Sequence, residues 1–249
     1  MKQQVLNYDI SKYQFQEWAC EVLGVTNLEN VHASNRVKLL NKSPTSNQLT
    51  NSFNEIVENY RSFISDVIIG KLGNIDSYQS PPSFRFHYCG RGSSVFHKDR
   101  DFGVEDGRMN VWVPLTKVWG SNSLWVESDV DAKDFKPLTL CPGQALVFDG
   151  VNRGHGSKIN TTTQSRISFD FRFMPGPGPA VPTSYWPKVL KVTQTLSRRM
   201  DDKSRSNQWR WLKSWVLYYQ LFQASHHWRS RLILHCRPAW TALAYSKVS

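Results

Sequence analysis

The 249-residue sequence has few cysteines, no long apolar run and, over its last 67 residues, almost no acid. Cys20, Cys89, Cys141 and Cys236 are scattered without CxxC or CxxH spacing. This argues against a cysteine zinc module and a disulfide framework, so four reduced thiols in a cytoplasmic protein are expected. No stretch stays apolar and uncharged for the length of a bilayer, so no transmembrane segment is expected. The opening MKQQVLNYDISKYQF has no apolar run behind its early lysine and does not read as a secretory signal. The phosphate-binding glycine loop, the GxSxG elbow and the alternation of a doubly wound α/β fold are missing as well.

Charge is present but unevenly placed. The formal net charge is +11. From Thr183 onward twelve Lys and Arg face only Asp201 and Asp202, giving +10, while the preceding 182 residues carry only +1. A nearly neutral body offers no uniformly basic groove, and a nucleic-acid partner is not expected.

Along the chain, Phe15, Trp18, Ala19, Val22 and Leu23 recur at helical intervals and predict one or two short helices over 10–34. A longer helix is expected where Leu49, Phe53, Ile56, Val57, Tyr60, Phe63, Ile64, Val67 and Ile68 form one apolar stripe, with Asn51 or Ser52 as cap. GNIDSYQSPPS reads as a loop. Eight strand-like runs follow, from SFRFHYC through SVFHKD, MNVWVPLT, SLWVES, FKPLTL, ALVFDG and HGSKI to SRISFDFRF, separated by turn residues. They predict a mainly β double-stranded β-helix, or jelly roll, preceded by helices whose apolar stripe must lie on something. The expected organisation is a helical bracing region over 1–82, a catalytic core over 83–175, a Pro/Gly linker over 176–183 and a basic, Trp-rich helical tail over 184–249.

The chemistry lies between Phe96 and Phe173. His97 and Asp99, two apart on one strand, project to the same side and can grip one ion together. His155 supplies a third donor from a strand that follows a Gly-rich turn. Two imidazoles and one carboxylate leave other coordination positions open, as in a non-haem Fe(II) oxygenase, although the same donors also suit Zn(II) in a hydrolase or in a cupin-like binding protein. Arg166 and Ser168 share one face of the last strand and together offer a guanidinium fork and a hydroxyl to a carboxylate. Arg172 and Asp170 continue that face, to contact substrate or to pair with neighbours. Phe84, Phe86 and Tyr88 share one face of the first strand, and Arg85, His87 and Cys89 the other; which looks inward stays open, and His87 reads as structural. Asn110, Tyr88, Trp112 and Glu127 are further candidates for lining the cosubstrate or substrate pocket, with jelly-roll core as the competing role for the aromatics. Asn122 is assigned to its turn in GSNS.

The order His-x-Asp, a distant His, then Arg-x-Ser eleven residues later resembles the Fe(II)/2-oxoglutarate-dependent dioxygenases. FHKDRDFG, NVWVPLTKVWGSNSLWVES and SRISFDFRFMP are similar to the group that includes the streptomycin-biosynthesis oxygenase, over about Ser83 to Pro175. The resemblance implies Fe(II) held by His97, Asp99 and His155, 2-oxoglutarate and O2 as cosubstrates, and the far carboxylate of 2-oxoglutarate fixed by Arg166 and Ser168 with Asn110 nearby. It implies hydroxylation, desaturation or cyclisation at an unactivated C–H bond of a small biosynthetic molecule, with release of succinate and CO2. The presence of Asp99 argues against halogenation, whose enzymes replace that carboxylate by a small residue. The rival with the same chemistry, a protein or nucleic-acid substrate, rests only on the tail. That tail interleaves Trp209, Trp211, Trp215, Trp228 and Trp240 with basic residues and reads as a lid or homodimer element, as a basic aromatic surface patch, or as a non-native reading frame.

Overall fold

The helices that precede the barrel begin with local chain chemistry. The computed structural model describes residues 3–33, 48–92 and 94–183. Asp9 accepts hydrogen bonds from the backbone N–H groups of Ser11 and Lys12 and so starts α1 (Ile10–Tyr13). Helix α2 (Phe15–Leu23) stops at Gly24, whose φ of 62° suits glycine and whose N–H returns to the carbonyls of Cys20 and Glu21. A 3-10 turn follows at Leu28–Ala33.

The second helical stretch departs from the single helix expected of it. It is broken into α3 (Gln48–Asn51), a 3-10 turn at Phe53–Glu55, α4 (Val57–Phe63), a π turn at Ile64–Ile69 and α5 (Gly70–Leu72). Asn51, Ser52 and Asn54 favour local side-chain bonds over a helix interior, and the break falls among them. Neither Asn51 nor Ser52 starts one long helix; Ser52 opens only the 3-10 turn, without a side-chain bond. The stripe still does its packing work. Leu49, Phe53, Ile56, Tyr60, Phe63, Ile64, Val67 and Ile68 are all buried, and Val57 packs against them.

The larger sheet has seven strands. Its order is β1 (Gln4–Asn7), β7 (Gln144–Phe148), β4 (Met109–Pro114), β9 (Arg166–Pro175), β2 (Ile75–Gln79) and β10 (Val181–Thr183), with β3 (Ser83–His87) also on β9. β3 pairs with the first half of β9 and β2 with its end, so the two act as one interrupted strand. The smaller sheet runs β6 (Lys136–Pro137), β5 (Trp125–Val126) and β8 (His155–Gly156). Together they form the double-stranded β-helix expected. Three strands were not anticipated. β1 shows no alternation, β2 lies in the segment read as a loop, and β10 lies in the Pro/Gly segment, where it pairs in parallel with β2 as an edge strand that tolerates Pro182.

Period-two alternation divides the large sheet's side chains between two cores. Val111, Val113, Ala145, Val147, Ile167, Phe169, Phe171 and Phe173 face the helices, while Trp112, Leu146 and Phe148 face the smaller sheet and meet Leu124, Val126 and Leu140. Strand β4 is buried throughout because both of its faces are covered. Phe171 is fully enclosed, 5.5 Å from the Tyr60 ring and 6.5 Å from the Phe63 ring. Phe171→Ala is therefore expected to cost about 3–5 kcal/mol in urea unfolding. Val5→Ala, at an exposed position, should change it by about 0.5 kcal/mol or less. Similar losses for the two would contradict this assignment of the helix-side core.

Among the described residues no helix is long and apolar enough to cross a membrane. All of them belong to the unit Met1–Pro187. The helical reading of 184–249 and its suggested dimer or surface contacts fall outside the described residues.

Candidate metal centre

Two of the expected ligands are paired directly across strands. His97 and His155 exchange both backbone hydrogen bonds, at 3.0 and 2.9 Å, which sets their rings side by side with centroids 4.5 Å apart. The run SVFHKD is thus a single bridge at His97 and not a full strand. Asp99 opens a 3-10 turn, Asp99–Phe102, anchored by its N–H to the Gly150 carbonyl at 2.9 Å. Lys98 between them is extended, so the i, i+2 relation survives and both side chains reach the same point. Donor atoms of His97, Asp99 and His155 all lie within 4.8 Å of one another. Asp99 Oδ1 faces both imidazole Nε2 atoms, at 3.6 and 3.7 Å.

Each ligand is oriented by a second contact. His97 Nδ1 lies 2.7 Å from the Val95 carbonyl and His155 Nδ1 lies 3.1 Å from that of Arg153. A carbonyl only accepts, so both rings carry their proton on Nδ1 and leave Nε2 as the donor atom for a metal. Asp99 is 1% exposed, and its Oδ2 accepts from Asn110 Nδ2 and Arg172 Nε, each at 2.7 Å. Burial alone would raise the Asp99 pKa; the Arg172 cation and its hydrogen bond to Oδ2 outweigh it and hold the carboxyl well below the usual range. Burial pushes His155 down to about 4 despite the Asp99 charge. At neutral pH the cluster thus presents an ionised carboxylate and a neutral imidazole, the states that bind a cation.

Farther along the same inner face, Arg166 is 2% exposed, donates from Nη1 to the Asn122 carbonyl at 3.2 Å and stands 5.6 Å from the Trp112 ring. Burial and the nearby Arg85 bring its pKa down to about 9, the cost of holding a cation out of water. Two residues on, the Ser168 hydroxyl is fully buried with no hydrogen-bond partner among the described residues. An enclosed cation beside an unmatched hydroxyl suits a small anion.

No protein-family model matches the chain. The streptomycin biosynthesis protein StrG of Streptomyces griseus is 32% identical over 176 residues, which cover 68% of this chain and 83% of that protein. The chain belongs to the StrG family. This is the group whose three strings it resembled in sequence. Solved structures similar to this StrG-family member include a non-haem monooxygenase, ThoJ, at TM-score 0.45 and 16% identity over 79% of this chain and 91% of that one. They also include CytC3 with Fe(II) and alpha-ketoglutarate, at 0.43 and 17% over 70% and 74%, and EctD from S. alaskensis, at 0.41 and 15% over 75% and 80%.

The remaining candidates divide clearly in this StrG-family chain. His97, Asp99 and His155 come together, and Arg166, Ser168, Asn110, Trp112 and Arg172 share the inner face with them. Asn110, expected on the cosubstrate, touches Asp99. Arg172 also meets Asp99, while Asp170 takes Arg85 at 2.8 Å. Trp112 fills the barrel core beside Arg166. Tyr88 lies against Phe86 and the helix-side core, so it is not brought to the metal centre. Glu127 is buried, and its Oε2 accepts from the Gly154 N–H at 2.9 Å and the Asp131 N–H at 3.2 Å. It supports the turn that delivers His155, with Arg153 donating to the Glu127 carbonyl. Arg153 went unnoticed in the sequence, and the glycines of that turn were read only as a turn signal, because their roles depend on close backbone approach.

His87 is fully buried, with ring nitrogens 3.3 Å from the Asn122 carbonyl and 3.0 Å from that of Arg91. Burial, reinforced by the Arg166 cation, pushes its pKa from 6.5 down to about 4. The unfolded chain therefore takes up the proton first, and stability is lost as pH falls from about 6.5 towards about 4. Between pH 7 and 5 this group should cost about 2 kcal/mol. His87→Gln is expected to remove that part of the slope in urea unfolding at the two pH values; an unchanged slope would show His87 is not the group responsible.

Proposed function

We propose that this protein is an Fe(II)/2-oxoglutarate-dependent dioxygenase that oxidises an unactivated C–H bond of a small biosynthetic molecule. The observation that carries the reading is one inner face bearing both an open three-donor cation site and, on the long central strand β9, the buried Arg166 beside the Ser168 hydroxyl that has no partner among the described residues. His97, Asp99 and His155 fit Fe(II) by donor type and leave positions for a chelating ligand and O2. When bound, Fe(II) and 2-oxoglutarate supply the oxidising power for hydrogen removal, with succinate and CO2 released. The protein's own part is positional. Arg166 and Ser168 hold the far carboxylate, Trp112 backs the guanidinium, and the packed inner face excludes bulk water. The name of StrG, a streptomycin biosynthesis protein, supports a small-molecule substrate. Hydroxylation, desaturation and cyclisation all begin with the same hydrogen removal. A zinc hydrolase would have no use for the Arg166–Ser168 pair.

The test is anaerobic addition of Fe(II) and then 2-oxoglutarate, followed by visible absorption. A charge-transfer band is expected in the wild type. Arg166→Ala should need at least tenfold more 2-oxoglutarate for half-formation, since a charge-assisted bidentate contact contributes about 1.5–3 kcal/mol. A folded, metal-loaded wild type without the band would sink the proposal.

A further inference from the structure

Asp99 has two oxygens in different circumstances. Oδ1 faces the two imidazoles, and Oδ2 is held by Asn110 Nδ2 and Arg172 Nε at 2.7 Å each. Those two donors belong to directly opposed residues of β4 and β9, so the sheet register itself brings them to one atom. The amide orientation of Asn110 follows from its neighbour, because the reverse would set two oxygens against each other. Asn110 sits where a side chain at position 150 would intrude, since a Cβ there would come within 2.6 Å of it, and the Gly150 carbonyl also anchors the Asp99 N–H.

We infer that Asn110 and Arg172 are a cross-strand clamp that fixes Asp99 as a one-oxygen metal ligand and thereby keeps three coordination positions open. The inference rests on the metal-centre reading but not on the identity of the cosubstrate. A buried carboxylate oxygen stripped of its donors would turn to the nearest cation, which is the ion itself. That second oxygen would occupy a position that water or a chelating cosubstrate otherwise takes. Sequence reading put Asn110 on the cosubstrate; here it works on the ligand, and Arg172 works with it as a positioning residue.

The experiment uses Mn(II) as probe and the full chain, with bound-water number read from the relaxation of solvent protons. The wild type is expected to hold Mn(II) with three exchangeable waters. Asn110→Leu combined with Arg172→Leu should still bind Mn(II) but with two, lowering the relaxivity of the bound ion by about one third if six-coordination is kept. If the double variant does not fold, Arg172→Leu against Arg172→Gln carries the test: glutamine retains an N–H donor and should keep wild-type hydration, whereas leucine should not. An unchanged water number in the leucine variants overturns the inference. So does a folded leucine variant that no longer binds Mn(II), because freeing Oδ2 adds a donor instead of removing one. Failure of the wild type to bind Mn(II) would instead bring down the metal-centre reading and this inference with it.

Discussion

Asp99→Ala is expected to abolish divalent-metal binding and turnover and, separately, to lower the stability of the metal-free protein by about 3–5 kcal/mol. The two losses have different causes. Metal binding fails because two imidazoles remain where the charge of a carboxylate balanced the cation. Stability falls because Arg172, 15% exposed in its side chain, loses the carboxylate 2.7 Å from its Nε. Burial by itself lowers the Arg172 pKa, and it is the Asp99 charge that turns the net shift upward. Breaking one side of such a pair leaves a desolvated cation, whereas replacing both by apolar groups is often neutral. Asp99→Ala with Arg172→Leu should therefore regain most of the lost stability without regaining metal. Urea unfolding in the presence of chelator measures the first effect and metal titration the second. Equal stability of the single and double variants would show that the ion pair is not what makes Asp99 costly to remove.

The candidate ligands were legible in the sequence because they rest on short-range geometry and spacing. His97 and Asp99 needed only one extended residue between them, and that condition held even though the expected strand shrank to a single bridge. Arg166 and Ser168 needed only alternation on a long strand, which β9 supplies. The inner and outer faces of β3 were undecidable, since both are buried: the polar His87 turns inward while Phe84, Phe86 and Tyr88 pack outward against the helices, so alternation alone does not tell which face is which. What covers the outer face is the broken helical stretch, where the apolar stripe was plain and the breaks were not. Strands β2 and β10 were hidden for another reason. Their segments are rich in residues that signal turns, and they become strands because β9 extends to Pro175 and offers β2 its open edge, to which β10 then adds in parallel. The partners of Asp99 belong to the same class of long-range fact. Nothing in the spacing of Asn110 and Arg172 shows that strand register sets them opposite each other.

Gly156→Ala is expected to weaken metal binding about 10–100-fold while the protein still folds, a large effect for one methyl group. A Cβ at Gly156 would lie 2.8 Å from Phe96 Cα and 2.9 Å from Phe96 N. Both are backbone atoms, so no rotamer change relieves the contact, and one strand must move away from the other. The strands concerned carry His97 and His155, each adjacent to one of the crowded residues and joined to the other by both backbone bonds. Separation there changes the distance between two ligands directly. Overpacking of this kind also costs about 1–3 kcal/mol, which the helix-side core, untouched by the change, can absorb. Gly92→Ala is the control, because a Cβ at that position meets nothing within 4 Å. Titration with Mn(II) compares the two. Wild-type affinity in Gly156→Ala would mean that the histidine pair tolerates a wider strand separation, and that convergence on Asp99, not the bridge between the histidines, sets the geometry of the site.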